Sequence, residues 1–199
     1  MAEKQEYVQL AINQFKRLTD IPEGLTERLI RDTKLLKQPK MSYLEYQQDD
    51  DGYLCYLLRG VACSTLFDEE KSKERPLLLW KQGDLLFQPA SFLERKPLHE
   101  SIRLWDDSIL LSIPYFRLYP LLEDYRALYP LLFRLYGLRE QRLARYNTIL
   151  AYTATERIAY LLRHYPGIET RVKQELLAEY LHMDRRTFSI LLKQAKNTL

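Results

Sequence analysis

The 199-residue sequence predicts an α+β fold in which an antiparallel β-roll or sandwich is flanked by short N-terminal helices and an all-helical C-terminal part. Three observations predict it. Short apolar runs separated by polar turns crowd residues 40–113; strand signal almost vanishes after Pro114; and residues 174–193 read QELLAEYLHMDRRTFSILLK, two helical runs with a tight break. That last pattern is how a helix-turn-helix looks in sequence.

In chain order, residues 3–18 and about 23–35 carry apolar positions at helical spacing, among them Val8, Ile12 and Phe15, then Leu25, Leu29 and Ile30. The strands expected next are SYLEYQ, YLCYLLRG, VACSTLF, PLLLW, DLLFQ, SIRLW and SILLSI. DDDG, DEEKSKER, KQGD, ERKP and DD break them. A long helix is expected from about Pro130 through LLFRLYGLREQRLARYNTILAY. Leu128, Leu132, Leu135, Arg142, Tyr146 and Ile149 fall near 3/4 spacing on it, the pattern of a dimer seam with Arg142 an imperfect member. Thr153-Ala154-Thr155-Glu156 is a capping box, so a new helix should run from there to His164 and close at Tyr165-Pro166-Gly167.

Composition excludes several function classes. No apolar run approaches the roughly 20 residues of a membrane span, so no membrane partner is expected. The amphipathic N-terminus lacks a secretory h-region. Two cysteines, Cys55 and Cys63, fit a reduced cytoplasm and cannot supply a four-cysteine cluster or zinc site. The three histidines, His99, His164 and His182, are scattered, so neither a metal nor another cofactor is expected. With no G-x-S-x-G, P-loop or dinucleotide fingerprint, an enzyme is not expected either. Charge is uneven: residues 1–114 hold 16 Lys+Arg against 19 Asp+Glu, and residues 115–199 hold 14 against 8. A basic C-terminal part suits double-stranded DNA, and equally suits solvated helix faces.

Within 174–193, Leu177, Ala178 and Leu181 form the packing stripe of the first helix. Asp184 can cap the second, whose Phe188, Leu191, Leu192 and Ala195 share a core face. The opposite side offers Arg186, Ile190, Lys193 and Asn197, flanked by Arg185 and Ser189. Arg185, Arg186, Thr187, Ser189, Ile190 and Lys193 are the candidate DNA contacts, because a basic first turn is the part that enters a major groove. His182 falls where a tight turn favours glycine. Ile190 stands central on the reading side, and only nine residues follow it, too few for a β-wing.

Taken together the chain resembles the Crp/Fnr family of bacterial transcription regulators over nearly its whole length. YLCYLLRGVACSTLF resembles that family's paired strands around a glycine, here Gly60. WKQGDLLFQ resembles its QGD turn, here Gln82-Gly83-Asp84. SIRLWDDSILLSIPYFRL is similar to the strand pair leading into its long helix, and QELLAEYLHMDRRTFSILLK to its helix-turn-helix. The resemblance implies a cyclic-nucleotide-binding-like β-roll over 1–129 with the N-terminal helices, a dimerisation helix over 130–152, and a helix-turn-helix domain over 153–199.

The departures shape the functional expectation. Cyclic-nucleotide binders of the family carry Gly-Glu about ten residues before Arg-Ser/Thr-Ala, the acid for the ribose and the arginine for the phosphate. Those places hold Phe87-Gln88 and Leu98-His99-Glu100 here. The expected effector pocket, Phe87, Gln88, Leu98 and His99, is therefore degenerate: cyclic AMP should not bind, while an unknown small-molecule effector is left open, with Phe92 also lining the cavity. Ile190 stands where the family places a base-reading arginine. The reading reached is a cytoplasmic homodimeric DNA-binding regulator. The alternative is a β-roll interaction or scaffold protein whose helix-turn-helix no longer reads DNA.

Overall fold

A computed structural model describes residues 2–17, 19–70 and 72–198; the side chains of Asn197 and Thr198 are outside that description, as are Leu18, the end of the first expected helix, and Lys71 of the DEEKSKER loop. Helices α1 (Ala2–Phe15) and α2 (Leu25–Asp32) lead into strands β1 (Lys34–Gln38), β2 (Tyr43–Glu45), β3 (Tyr53–Arg59), β4 (Val61–Asp68), β5 (Lys73–Lys81) and β6 (Leu85–Leu86). A short helix α3 (Pro89–Glu94) precedes β7 (Ser101–Leu104) and β8 (Ser108–Pro114). The remainder is helical: α4 (Tyr115–Asp124), a 3-10 turn at Arg126–Leu128, α5 (Tyr129–Leu150), α6 (Ala154–His164), α7 (Ile168–Arg171), α8 (Gln174–Tyr180) and α9 (Arg185–Thr198).

The strands form two four-stranded antiparallel sheets, ordered β1-β8-β3-β6 and β2-β7-β4-β5. Their inner faces bury Cys55, Leu57, Ala62, Leu78, Trp80, Leu86, Ile102, Leu104 and Leu110 as one core. Gly60 makes the tight β3–β4 turn at φ 119°, and a Cβ there would stand 2.1 Å from Ser108 Oγ. Conformation and space both demand glycine at that point.

The long helix was expected near 130–152 and runs 129–150, with Pro130 in its first turn, where proline costs no hydrogen bond. The capping box is present: Thr153 Oγ1 accepts from Glu156 N at 3.4 Å, and Glu156 Oε2 accepts from Thr153 N at 2.9 Å. Two expectations need correction. The helix read over about 23–35 stops at Asp32, because Thr33 turns extended and Lys34–Gln38 pairs with β8, from Lys34↔Ser112 to Gln38↔Ser108. Five residues are too few to display a two-residue period. Helices α3, α4 and α7 were not expected as separate elements.

The seam expected on the long helix is spent inside the chain. Leu128 and Leu132 are buried with Leu25, Phe87, Leu118 and Leu121 against the roll, and Leu135 packs on the same cluster. Tyr146 is buried among α6, α8 and α9 residues, and Ile149 is likewise buried. Arg142 pairs with Asp84, its Nη1 2.8 Å from Oδ2. Apolar 3/4 spacing marks a buried stripe, and the roll takes that stripe before any second copy can. The large apolar side chains that stay exposed on α5 are Tyr129, Phe133 (63%), Tyr136 (43%) and Leu138, the first three spaced 4 and 3 along one flank of the buried stripe.

Candidate functional site

Helix α9 is positioned by its own turn. Met183 N donates to Ala178 O at 3.0 Å and His182 N to Glu179 O at 3.0 Å, which closes α8 in a Schellman-like end. His182 adopts φ 50°, the left-handed conformation expected of a turn residue at this position. Arg157 of α6 fastens the turn by donating to Leu181 O at 2.5 Å. Asp184 then caps α9, its Oδ1 accepting from Thr187 N at 2.8 Å and its Oδ2 from Thr187 Oγ1 at 2.5 Å. Those hydrogen bonds hold the Asp184 carboxyl below its ordinary range, the Thr187 hydroxyl first among them.

Phe188 and Leu192 of α9 are buried with Leu177, Ala178 and Leu181 of α8, while Leu191 and Ala195 are half-buried on the same core. The other side is open. Arg185, Arg186, Ile190 and Lys193 are exposed, and Ser189 is half-buried beside them. Of the candidate DNA contacts, Thr187 is committed to the cap. Arg185 has a solvent-exposed partner in Glu175 at 3.1 Å, a pairing weak enough for a phosphate to displace. Lys196 is tied to Glu169 at 3.0 Å. Two exposed arginines thus stand in the first turn of α9, beside a cap in which the Asp184 carboxylate already takes the Thr187 N–H.

The helix-turn-helix is seated on the roll. Val61, Cys63, Leu79 and Trp105 of the roll share one buried cluster with Leu161, Leu177, Tyr180 and Phe188. Tyr146 stacks on Tyr180 with ring centroids 4.6 Å apart and donates to Tyr180 O at 2.7 Å. Lys73 pairs with Glu179 at 2.6 Å, and Arg171 Nε donates to Asp106 at 2.8 Å. Sequence reasoning missed this junction. Its only trace was an outward-facing apolar set on β4 and β5, which in a lone roll would be solvated.

The expected effector pocket is filled. Leu98 and Phe92 are core residues packed with Phe87 and Tyr115; Phe92 stands 5.0 Å from the Tyr115 ring in an edge contact. His99 is exposed and does not join them. This corrects the expectation that Phe87, Phe92 and Leu98 line a cavity together: Phe92 and Leu98 are buried in the cluster, and only Phe87 also borders a remaining space. Gln88, 4% exposed, is wired into a polar core. Its Nε2 donates to Glu45 Oε2 at 2.8 Å and to Glu100 O at 2.9 Å, and its Oε1 accepts from Glu100 N at 3.1 Å. Glu45 also accepts from Tyr53 N at 2.7 Å, and burial pushes its carboxyl up to about 7. Glu100 forms an ion pair with Arg139 of α5. A cavity of about 190 Å³ remains between Gln14, Phe87, Leu138, Arg139 and Arg142, below the roughly 300 Å³ at which small-molecule sites begin. Among the described residues no cluster of His, Cys, Asp and Glu could hold a metal ion, and no helix is long and apolar enough to cross a membrane.

A two-sheet roll, a long helix and a capped helix-turn-helix follow one another in this order. Solved structures share this fold. A protein from Eubacterium rectale assigned to the Crp/Fnr family of transcriptional regulators superposes with a TM-score of 0.72 at 15% identity, over 94% of this chain and 88% of that one. FixK2 from Bradyrhizobium japonicum gives 0.70 at 14% identity, over 83% and 85%. The c-di-GMP responsive global regulator CLP of Xanthomonas campestris gives 0.65 at 20% identity, over 89% and 93%. No protein-family model matches the chain, and no curated protein matches it in sequence.

Proposed function

We propose that this protein is a homodimeric regulator that binds duplex DNA through α9, with a roll that no longer takes a cyclic nucleotide. The observation that carries the reading is the exposed first turn of α9. Arg185 and Arg186 stand there on a helix whose cap, turn and core face are complete, and both remain open to solvent. Arg185, Arg186, Ser189 and Lys193 contact phosphate and groove edges; Ile190, 49% exposed, meets a thymine methyl at most. The second copy pairs through Tyr129, Phe133 and Tyr136 rather than through the buried stripe. The division into an effector-like part over 1–129, a dimerisation helix over 130–152 and a DNA-binding part over 153–199 belongs to the same proposal. So do a cytoplasmic location and the absence of catalysis.

Selection of duplexes from a random pool by the purified protein tests the reading. Enrichment of two-fold symmetric sites with half-sites about one helical turn apart, roughly 34–36 Å, is expected. A pool that stays random after selection at low salt would contradict it. The scaffold reading draws on Ile190 alone, an apolar side chain exposed where a DNA reader would place a polar one.

A further inference from the structure

The polar core of the roll reaches the long helix through one charged contact. Glu100, 8% exposed, immediately precedes β7 and ends the triplet Leu98-His99-Glu100, which the resemblance sets against a phosphate-binding one. Its carboxylate pairs with Arg139, which enters from α5 with its side chain only 13% exposed. Arg139 Nη1 also lies 3.1 Å from Glu140, but that carboxylate is 48% exposed and screened. Behind the pair stand Gln88 and the buried Glu45, which itself faces Glu100, Asp49, Tyr115 and Cys55. Among the described residues, Glu100 Oε2 and Arg139 Nε are buried without hydrogen-bond partners.

A half-satisfied buried ion pair is a poor way to stabilise a fold, since an apolar pair of similar volume is commonly neutral or better. What such a pair supplies is position. An arginine bound to a buried carboxylate of the roll, beside Leu135 and Leu138 of its own helix and Phe87 of the roll, fixes both the rotation and the axial register of α5. We propose that Glu100 is a built-in ligand: its carboxylate stands in for an effector anion, grips Arg139, and holds α5 in one register on the roll without any small molecule. The polarity is the inverse of an anion pocket, with the protein supplying the anion from the roll and the cation from the helix. Arg142 and Asp84 form a second, bidentate clamp almost one turn further along, at 2.8 and 2.5 Å. The two clamps together oppose rotation of α5.

Chemical rescue tests this. Glu100→Ala leaves Arg139 facing a space that a small carboxylate fits. Backbone hydrogen exchange over residues 135–142 should rise at least tenfold in this variant, and acetate should restore protection where chloride at equal ionic strength does not. Arg139→Ala should show the same rise with no acetate response, and wild type should ignore acetate. Glu100→Met/Arg139→Met, which removes the charges and keeps the volume, should melt no lower than wild type and still exchange faster in α5. Protection of α5 unchanged in Glu100→Ala, or in the double methionine variant, would overturn the proposal, as would equal rescue of Arg139→Ala. Only the use to which a fixed α5 is put rests on the regulator reading. Exchange in α5 is read without DNA, so a protein that fails to bind duplexes but shows the rescue sinks the regulator reading and leaves the clamp standing.

Discussion

Replacing Glu45 by glutamine should remove a measurable pH dependence of stability. Glu45 is 2% exposed, and burial first, then the nearby Glu100 and Asp49, raises its carboxyl to about 7 from an ordinary 4.5; hydrogen bonds from Gln88 and Tyr53 only partly oppose this. The folded protein therefore keeps a proton between pH 4.5 and 7 that the unfolded chain has released. With more protons bound in the native state, stability is fullest below the unfolded value and falls as pH rises through the folded one, by roughly 3 kcal/mol at 1.36 kcal/mol per pH unit. Glutamine cannot ionise, so this slope disappears. It also sets an amide donor against the Gln88 Nε2 donor, costing about 1 kcal/mol of hydrogen bonding. Glu45→Gln should thus be less stable than wild type at and below pH 4.5, about equal near pH 5, and more stable by about 2 kcal/mol above pH 7.5. Asp184 and Glu156, held low chiefly by the hydroxyls of Thr187 and Thr153, lose their contribution as pH falls, but they do so in both proteins and cancel. Urea unfolding of both proteins from pH 4.5 to 8 reads the difference. Parallel stability curves across that window would show that Glu45 does not carry the proton.

Phe133→Glu with Tyr136→Glu should give a folded monomer in sedimentation whose melting temperature no longer depends on protein concentration, because both side chains are exposed in the single chain. Leu132→Glu should instead unfold the protein, since Leu132 is 8% exposed within the roll cluster; the opposite pattern would return the seam to the buried stripe. Tyr180→Ala should cost about 3–5 kcal/mol, as for other fully buried aromatic rings, because Tyr180 is 1% exposed and stacked on Tyr146. Denaturant unfolding checks it, and a loss under about 1 kcal/mol would show the junction to be loose. Cyclic AMP should produce no heat in micromolar calorimetry, the space beside Phe87 and Arg139 being about 190 Å³; saturable binding would show that the core opens.

Much of this architecture was legible because its elements carry local signatures. Seven strand runs were readable from apolar clusters bounded by turns, and α6 from its capping box. Asp184 and His182 identified the ends of the α8–α9 turn through their conformational chemistry. What was illegible is what depends on distant partners. β1 looked like the tail of a helix because its extended form comes from pairing with β8, far along the chain. The stripe Leu128-Leu132-Leu135 has the same spacing whether it meets a second copy or its own roll. Nor does local sequence say that Leu98 would collapse onto Phe92 and Tyr115 rather than line a cavity, or that Arg139 would reach Glu100 across 39 positions.

Whether α9 binds DNA is decided by the salt dependence of duplex binding in wild type and in Arg185→Ala/Arg186→Ala. Wild type should retard duplex DNA at low salt, with log affinity falling by roughly 0.9 per neutralised phosphate against log salt. The double variant should bind all sequences more weakly, its slope shallower by about one for each phosphate that an arginine of either subunit no longer neutralises. A wild-type protein that retards no duplex at low salt, or a double variant with the same affinity and slope, would contradict the assignment of α9 as the DNA-binding helix.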